Sequence, residues 1–177
     1  MEIMRLMVTG PQGAGKSSFI QLFSQIHGHR VADTDGIELS RKSGTVTPNF
    51  GQLKVGPGQQ VHLYKTPMEP GYPSFNFRWD VLLQKVHGCI LLVPANQPQT
   101  FRHARLIQRF IEQRRSLPMI IGVTYCDAAE SWDLNTVAIA LGFADAPACP
   151  PMVRINHSST SVGNAMLTLV NQMGELS

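Results

Sequence analysis

Residues 7–20 read Met7-Val8-Thr9-Gly10-Pro11-Gln12-Gly13-Ala14-Gly15-Lys16-Ser17-Ser18-Phe19-Ile20. An apolar run from Ile3 to Val8 precedes the glycines and predicts a buried strand. Ser17 to Ile26 predicts a helix, with Phe19, Leu22, Phe23 and Ile26 on one face. Between them, Gly10-x4-Gly15-Lys16-Ser17 matches the Walker A pattern of a phosphate-binding P-loop. Phosphates need many donors in a small concave space. Glycines let the backbone curl so that successive N–H groups point inward. Lys16 would reach the β- and γ-phosphates as a point charge. Ser17 would offer its hydroxyl to Mg²⁺, and the helix N-terminus adds a favourable dipole. The candidate cradle is therefore Gly10, Gln12, Gly13, Ala14, Gly15, Lys16, Ser17 and Ser18. The plain alternative is a glycine-rich turn with no ligand, and the strand-loop-helix context weighs against it.

Outward from this loop, short apolar runs alternate with helix-like stretches. Residues His27 to Val46 are polar and read as a surface loop. Leu53 to Val55 and Val61 to Tyr64 flank Gly56-Pro57-Gly58, which predicts a hairpin. A helix is expected from Phe75 or Phe77 to Lys85. Cys89 to Val93 and Met119 to Val123 are continuous apolar runs, expected to be strands buried on both faces. Helices are expected at Thr100 to Arg114, Asn135 to Leu141 and the C-terminal stretch carrying Val162, Ala165, Met166, Leu169, Val170 and Met173. A last strand is expected at Met152 to Ile155. Such alternation implies a mostly parallel sheet with helices on both faces. The hairpin would add one antiparallel edge strand. Ligands of such sheets sit beyond the carboxyl ends of the strands.

The 177 residues fit one domain with one core, spanning residues 1–177. A hydrophobic fraction of 43% places the chain among ordinary globular proteins rather than disordered ones. A net charge of +3 is too small to argue for nucleic acid, so no such partner is expected. Cys89, Cys126 and Cys149 are widely spaced, neither a disulfide framework nor a zinc pattern. Glu2 and Arg5 interrupt the N-terminal apolar run, so no signal peptide is expected. No run approaches the ~20 apolar residues of a membrane span, and no lipidation pattern stands at either end. A cytoplasmic protein without a direct membrane anchor is expected.

From Gly13 to Ile26 the chain resembles bacterial Ras-like small GTPases of the gliding-motility (MglA-like) type, and weaker resemblance covers almost all of it. Thr45-Val46-Thr47-Pro48-Asn49-Phe50-Gly51 is similar to their switch I, in which a threonine, here Thr45, joins Ser17 in the Mg²⁺ shell. Thr66-Pro67 lies where the family carries Gly-Thr-Pro-Gly in switch II, and Phe77-Arg78-Trp79-Asp80 resembles the segment that follows. Thr124-Tyr125-Cys126-Asp127 stands in place of Asn/Thr-Lys-x-Asp. Asn156-His157-Ser158 stands at the final guanine-edge loop. The resemblance implies a Ras-like three-layer P-loop domain with a six-stranded sheet, binding GTP or GDP with Mg²⁺ as a molecular switch. It implies a roadblock-fold or other regulator, and an effector that reads the switch regions. Thr124, Tyr125, Asp127, His157 and Ser158 would meet the base. A carboxylate at 127 can accept from both N1–H and N2–H of guanine, which adenine does not offer. Tyr125, in the usual lysine position, could stack on a base. Asp127 as an ordinary loop acid is the alternative.

The switch II match is damaged. Lys65 or its neighbour falls where Asp is usual, Met68 replaces the γ-phosphate-sensing Gly, and Glu69 takes the catalytic Gln position. A lysine beside Mg²⁺ is repelled. Either the loop folds away, or Lys65 partly replaces the metal's charge, or the register shifts by a residue or two. Glu69 lacks the donor half of glutamine's role. Lys16, Thr45 and Glu69 are thus the candidate catalytic set, with slow or partner-dependent hydrolysis expected. Arg41, Lys42 or Arg78 could supply a cation. Two other readings stay open: a non-hydrolysing interaction module, and an ATP-using small-molecule kinase with Asp33 and Asp35 at the acceptor. Arg102, Arg105 and Arg109, extended by Arg114 and Arg115, read as a solvated basic face, a partner surface or a contact for an acidic membrane patch. Phe75, Phe77 and Trp79 read equally as core or as an effector patch.

Overall fold

The computed structural model describes residues 2–26, 50–66, 73–143 and 149–175. Thr45, Glu69, Met68, Arg41, Lys42, Asp33 and Asp35 lie outside the described residues. So do the side chains of Phe75, Phe77 and Arg78.

Among the described residues six strands and five α-helices follow one another: β1 (Glu2–Thr9), α1 (Lys16–Gln25), β2 (Phe50–Gly56), β3 (Gln59–Lys65), α2 (Pro73–Lys85), β4 (Gly88–Pro94), α3 (Phe101–Arg114), β5 (Met119–Thr124), α4 (Leu134–Ala140), β6 (Met152–Ile155) and α5 (Ser159–Glu175). They form an α/β protein with one six-stranded sheet in the order β2-β3-β1-β4-β5-β6. All neighbours are parallel except the β2–β3 hairpin at the edge. The hairpin turns where expected, at Pro57-Gly58, with Gly58 in the left-handed region at φ 73°. α2 begins earlier than the Phe75 or Phe77 read from sequence. A proline is tolerated in a first helical turn, where its missing N–H has no partner to lose.

β4 is buried at all seven positions. It has no solvent face, which is why its sequence shows no alternation. Its side chains divide between two cores. Cys89, Leu91 and Val93 join Met7, Ile121 and Val123 of neighbouring strands against Leu83, Ala104, Ile107 and Val137 of α2, α3 and α4. Ile90 and Leu92 join Leu6, Val8 and Ile120 against Phe19, Phe23, Val162, Ala165 and Leu169 of α1 and α5. Each fully buried side chain of this size contributes about 1.5–3 kcal/mol, so the sheet's two faces anchor the helices on both sides. Val170, which shares the apolar spacing of α5, is 37% exposed and lies outside this seam.

Trp79 is buried, its ring 5.5 Å from that of Phe110 in an edge-on contact. It belongs to the core and not to an exposed aromatic patch. The arginine row is not simply solvated. Arg114 pairs with Asp80 at 2.9 Å and lies over the Phe110 ring. Arg115 donates to the carbonyls of Leu83 and Val86, satisfying acceptors at the end of α2. Arg105 lies against Gly142. Arg102 and Arg109 remain exposed. Among the described residues no helix is long and apolar enough to cross a membrane.

Candidate functional site

β1 is central, with β3 on one side and β4 on the other. The chain leaves β1 toward β3 and later returns on the far side, so the end of β1 is a topological switch point. Crevices at such points, beyond the strands' carboxyl ends, are where open α/β sheets take ligands. The Gly10–Ser17 loop fills that position.

The loop's shape rests on its glycines. Gly10, Gly13 and Gly15 have φ of 151°, 80° and 95°. A Cβ on Gly10 would stand 2.4 Å from the Leu92 carbonyl oxygen of β4. Only glycine lets the backbone pass so close to that strand. Gly15 is the N-cap of α1 and has no side chain to occupy the first-turn amides. Those amides have no intrahelical partner and carry the positive end of the helix dipole. Lys16 Nζ donates to the Gly10 and Pro11 carbonyls at 2.6 and 3.1 Å. Its ammonium is thereby held across the mouth of the loop.

Two neighbouring strands brace the loop. Thr124, at the end of β5, is buried and donates from Oγ1 to the Ala14 carbonyl at 2.8 Å. Tyr125 follows with φ 56°, an unusual backbone for a side-chain-bearing residue. Its hydroxyl lies 3.9 Å from a Cβ position on Gly15, so the ring reaches over the start of α1. Asp127 is exposed. On the other side Thr66 is buried, its amide donating to Val8 and its hydroxyl to Thr9 Oγ1 at 3.0 Å.

Lys65 is the distinctive element. Alternation along β3 places Val61, Leu63 and Lys65 on one face, and Val61 and Leu63 pack into the α1 core. The third position of that row comes level with Val8 of β1. There Lys65 Nζ donates to Ser17 Oγ at 2.9 Å. Partial burial pulls its pKa below the ordinary lysine value, because desolvation disfavours the ammonium.

The predicted residues are thus brought together in part. Gly10, Gln12, Gly13, Ala14, Gly15, Lys16, Ser17 and Ser18 form one loop and helix start, with Thr124 and Tyr125 against it. Ser158 is engaged locally: its hydroxyl donates to Asn156 Oδ1 at 2.5 Å and accepts from the Ser161 amide at 3.2 Å. That is the work of a helix cap at the start of α5. His157 is exposed. Two residues escaped the sequence reading. The Gln97 amide lies 3.6 Å from a Cβ position on Gly13. Asn96 Oδ1 is buried without a hydrogen-bond partner among the described residues. Their signal was position alone, directly after the β4 run at the same sheet edge as the loop.

No protein-family model matches the chain, and no curated protein matches it.

A P-loop reading brings Mg²⁺ with it, bound at the Ser17 hydroxyl. The described residues do not fit that ion. Mg²⁺ takes hard oxygen ligands at about 2.0–2.1 Å, usually with carboxylate support. On the same Oγ as Lys65 Nζ it would stand about 4 Å from the ammonium, a repulsion of about 8 kcal/mol at an effective dielectric of about 20. Among the described residues no group of three or more His, Cys, Asp or Glu gathers as a metal site.

Proposed function

We propose that the chain is a P-loop nucleotide-binding protein of Ras-like type, taking GTP and GDP as a guanine-nucleotide switch. The observation that carries this reading is the Gly10–Ser17 loop at the switch point of the sheet, with left-handed glycines and Lys16 drawn across its mouth. Phosphate oxygens would accept from the loop amides and from Lys16, and the α1 dipole would add to the attraction. The Thr124–Ala14 bond links the phosphate loop to the segment that would read the base. Asp127 would accept from guanine N1–H and N2–H, and Tyr125 would cover the base face.

Hydrolysis would be slow. Phosphoryl transfer to water is positioning and charge stabilisation, and a lysine stands where a metal-orienting acid is usual. The same Lys65–Ser17 contact favours a second reading, a module that binds nucleotide without turning it over. A roadblock-fold or other regulator, and an effector that reads the switch regions at the Thr45 and Thr66 loops, complete the switch proposal, in the cytoplasm.

Fluorescent mant-GDP and mant-ADP titrations test it. The expected result is saturable mant-GDP binding that GDP competes and ADP does not, lost in Lys16→Ala and losing its guanine preference in Asp127→Asn. Tight mant-ADP binding that GDP fails to displace would refute it. Single-turnover GTP hydrolysis separates the two readings.

A further inference from the structure

We infer that Lys65 takes the divalent cation's place beside the Gly10–Ser17 loop, so that this chain binds a nucleoside diphosphate without Mg²⁺. The inference rests on the nucleotide reading above and deepens it.

Three observations converge. Ser17, whose hydroxyl would ligate a metal, accepts from Lys65 Nζ at 2.9 Å. The contact is built by the sheet, because Lys65 continues the Val61–Leu63 row that packs on α1. The strand end is itself secured, since Thr66 is tied by its amide to Val8 and by its hydroxyl to Thr9. An ammonium has three N–H groups. One meets Ser17, and among the described residues Lys65 has no second acceptor, so two can be directed at phosphate oxygens. Lys16 brings a second ammonium from the loop. Two lysines would thus bring two positive charges to the diphosphate, where one lysine and Mg²⁺ would bring three. A lysine is tethered and needs no ion from solution, so chelation should leave binding intact.

The test is mant-GDP affinity and dissociation rate, with excess MgCl₂ and with excess EDTA. Wild-type affinity in EDTA should stay within about threefold of that in MgCl₂. Lys65→Met, which keeps the stem and loses the charge, should weaken binding in EDTA by about tenfold to a hundredfold, the worth of a charge-assisted hydrogen bond. Lys65→Arg should retain most of the affinity, and Lys65→Asp should bind only when MgCl₂ is present. Circular dichroism melts identify any variant that fails to fold, and the wild-type comparison stands without them. A wild-type affinity that collapses by more than about tenfold on chelation would overturn the inference while leaving nucleotide binding in place. Unchanged binding by folded Lys65→Met in EDTA would overturn it as well. Absence of both mant-GDP and mant-ADP binding in either buffer would remove the nucleotide reading, and this inference with it.

Discussion

Replacing Gly10 by alanine isolates how tightly the loop is wedged against the sheet. Two costs add. The backbone at φ 151° is one that alanine rarely adopts, at about 1–2 kcal/mol. The new Cβ would also lie 2.4 Å from the Leu92 carbonyl oxygen. That oxygen belongs to β4, buried throughout, so neither it nor the loop can yield without disturbing the centre of the sheet. Overpacking of this kind costs about 1–3 kcal/mol. The sum is about 2–5 kcal/mol, or a fall in Tm of about 4–20 °C for a chain of this size. Gly58→Ala is the control. Its φ is 73°, but a Cβ there meets nothing within 4 Å. It should lose only the backbone cost, about 1–2 kcal/mol. Thermal unfolding by circular dichroism, on both variants, measures the difference. Equal losses at the two positions would refute the wedge, because the steric share would then be zero. Nucleotide titration on the same samples should show mant-GDP binding weakened in Gly10→Ala and unaffected in Gly58→Ala.

Thr124→Val keeps the shape of the side chain and removes the donor to the Ala14 carbonyl, leaving a buried acceptor without its partner. Stability should fall by about 1–3 kcal/mol, read as a Tm lowered by about 2–4 °C per kcal/mol; an unchanged Tm would show that the brace is idle. Asp133 caps α4, accepting from the Thr136 amide at 2.9 Å and its hydroxyl at 2.7 Å. The Thr136 amide leads in holding its carboxyl below the usual range. A depressed carboxylate stabilises the fold above its unfolded pKa of about 3.9 and loses that contribution as pH falls through the lower folded value. The Tm gap between wild type and Asp133→Ala should therefore be constant above about pH 5 and narrow in more acidic buffer. A gap that widens with acid would reverse the assignment.

Much of the architecture was legible because it is written in local periodicity. The runs at Cys89–Val93 and Met119–Val123 were expected as strands covered on both faces, and they became β4 and β5. The Pro57-Gly58 turn announced the antiparallel hairpin. The element ends were less legible. α2 starts at Pro73, before the aromatics that suggested it, since helix starts depend on capping and packing more than on apolar spacing. The arginines between positions 102 and 115 looked alike in sequence. Only the packing of α2 alongside separates Arg114 and Arg115, which meet Asp80 and two backbone carbonyls, from Arg102 and Arg109.

The Gly10–Ser17 loop was legible in sequence alone, because its pattern is local: glycine spacing, one lysine and one serine within eight residues, between a strand and a helix. What lies beside it was not. Lys65 is 48 positions from Ser17, and nothing in either segment states that they meet. The meeting needs the β3–β1 register, the pleat that turns Lys65 toward α1, and the glycine-supported turn that starts α1 at Lys16. Thr124 reaches Ala14 across 110 positions by the same logic, through the stacking of β5 beside β4. Short-range pattern specifies which groups a loop offers. Long-range strand register, set by burial on both faces of the sheet, specifies which charges face them.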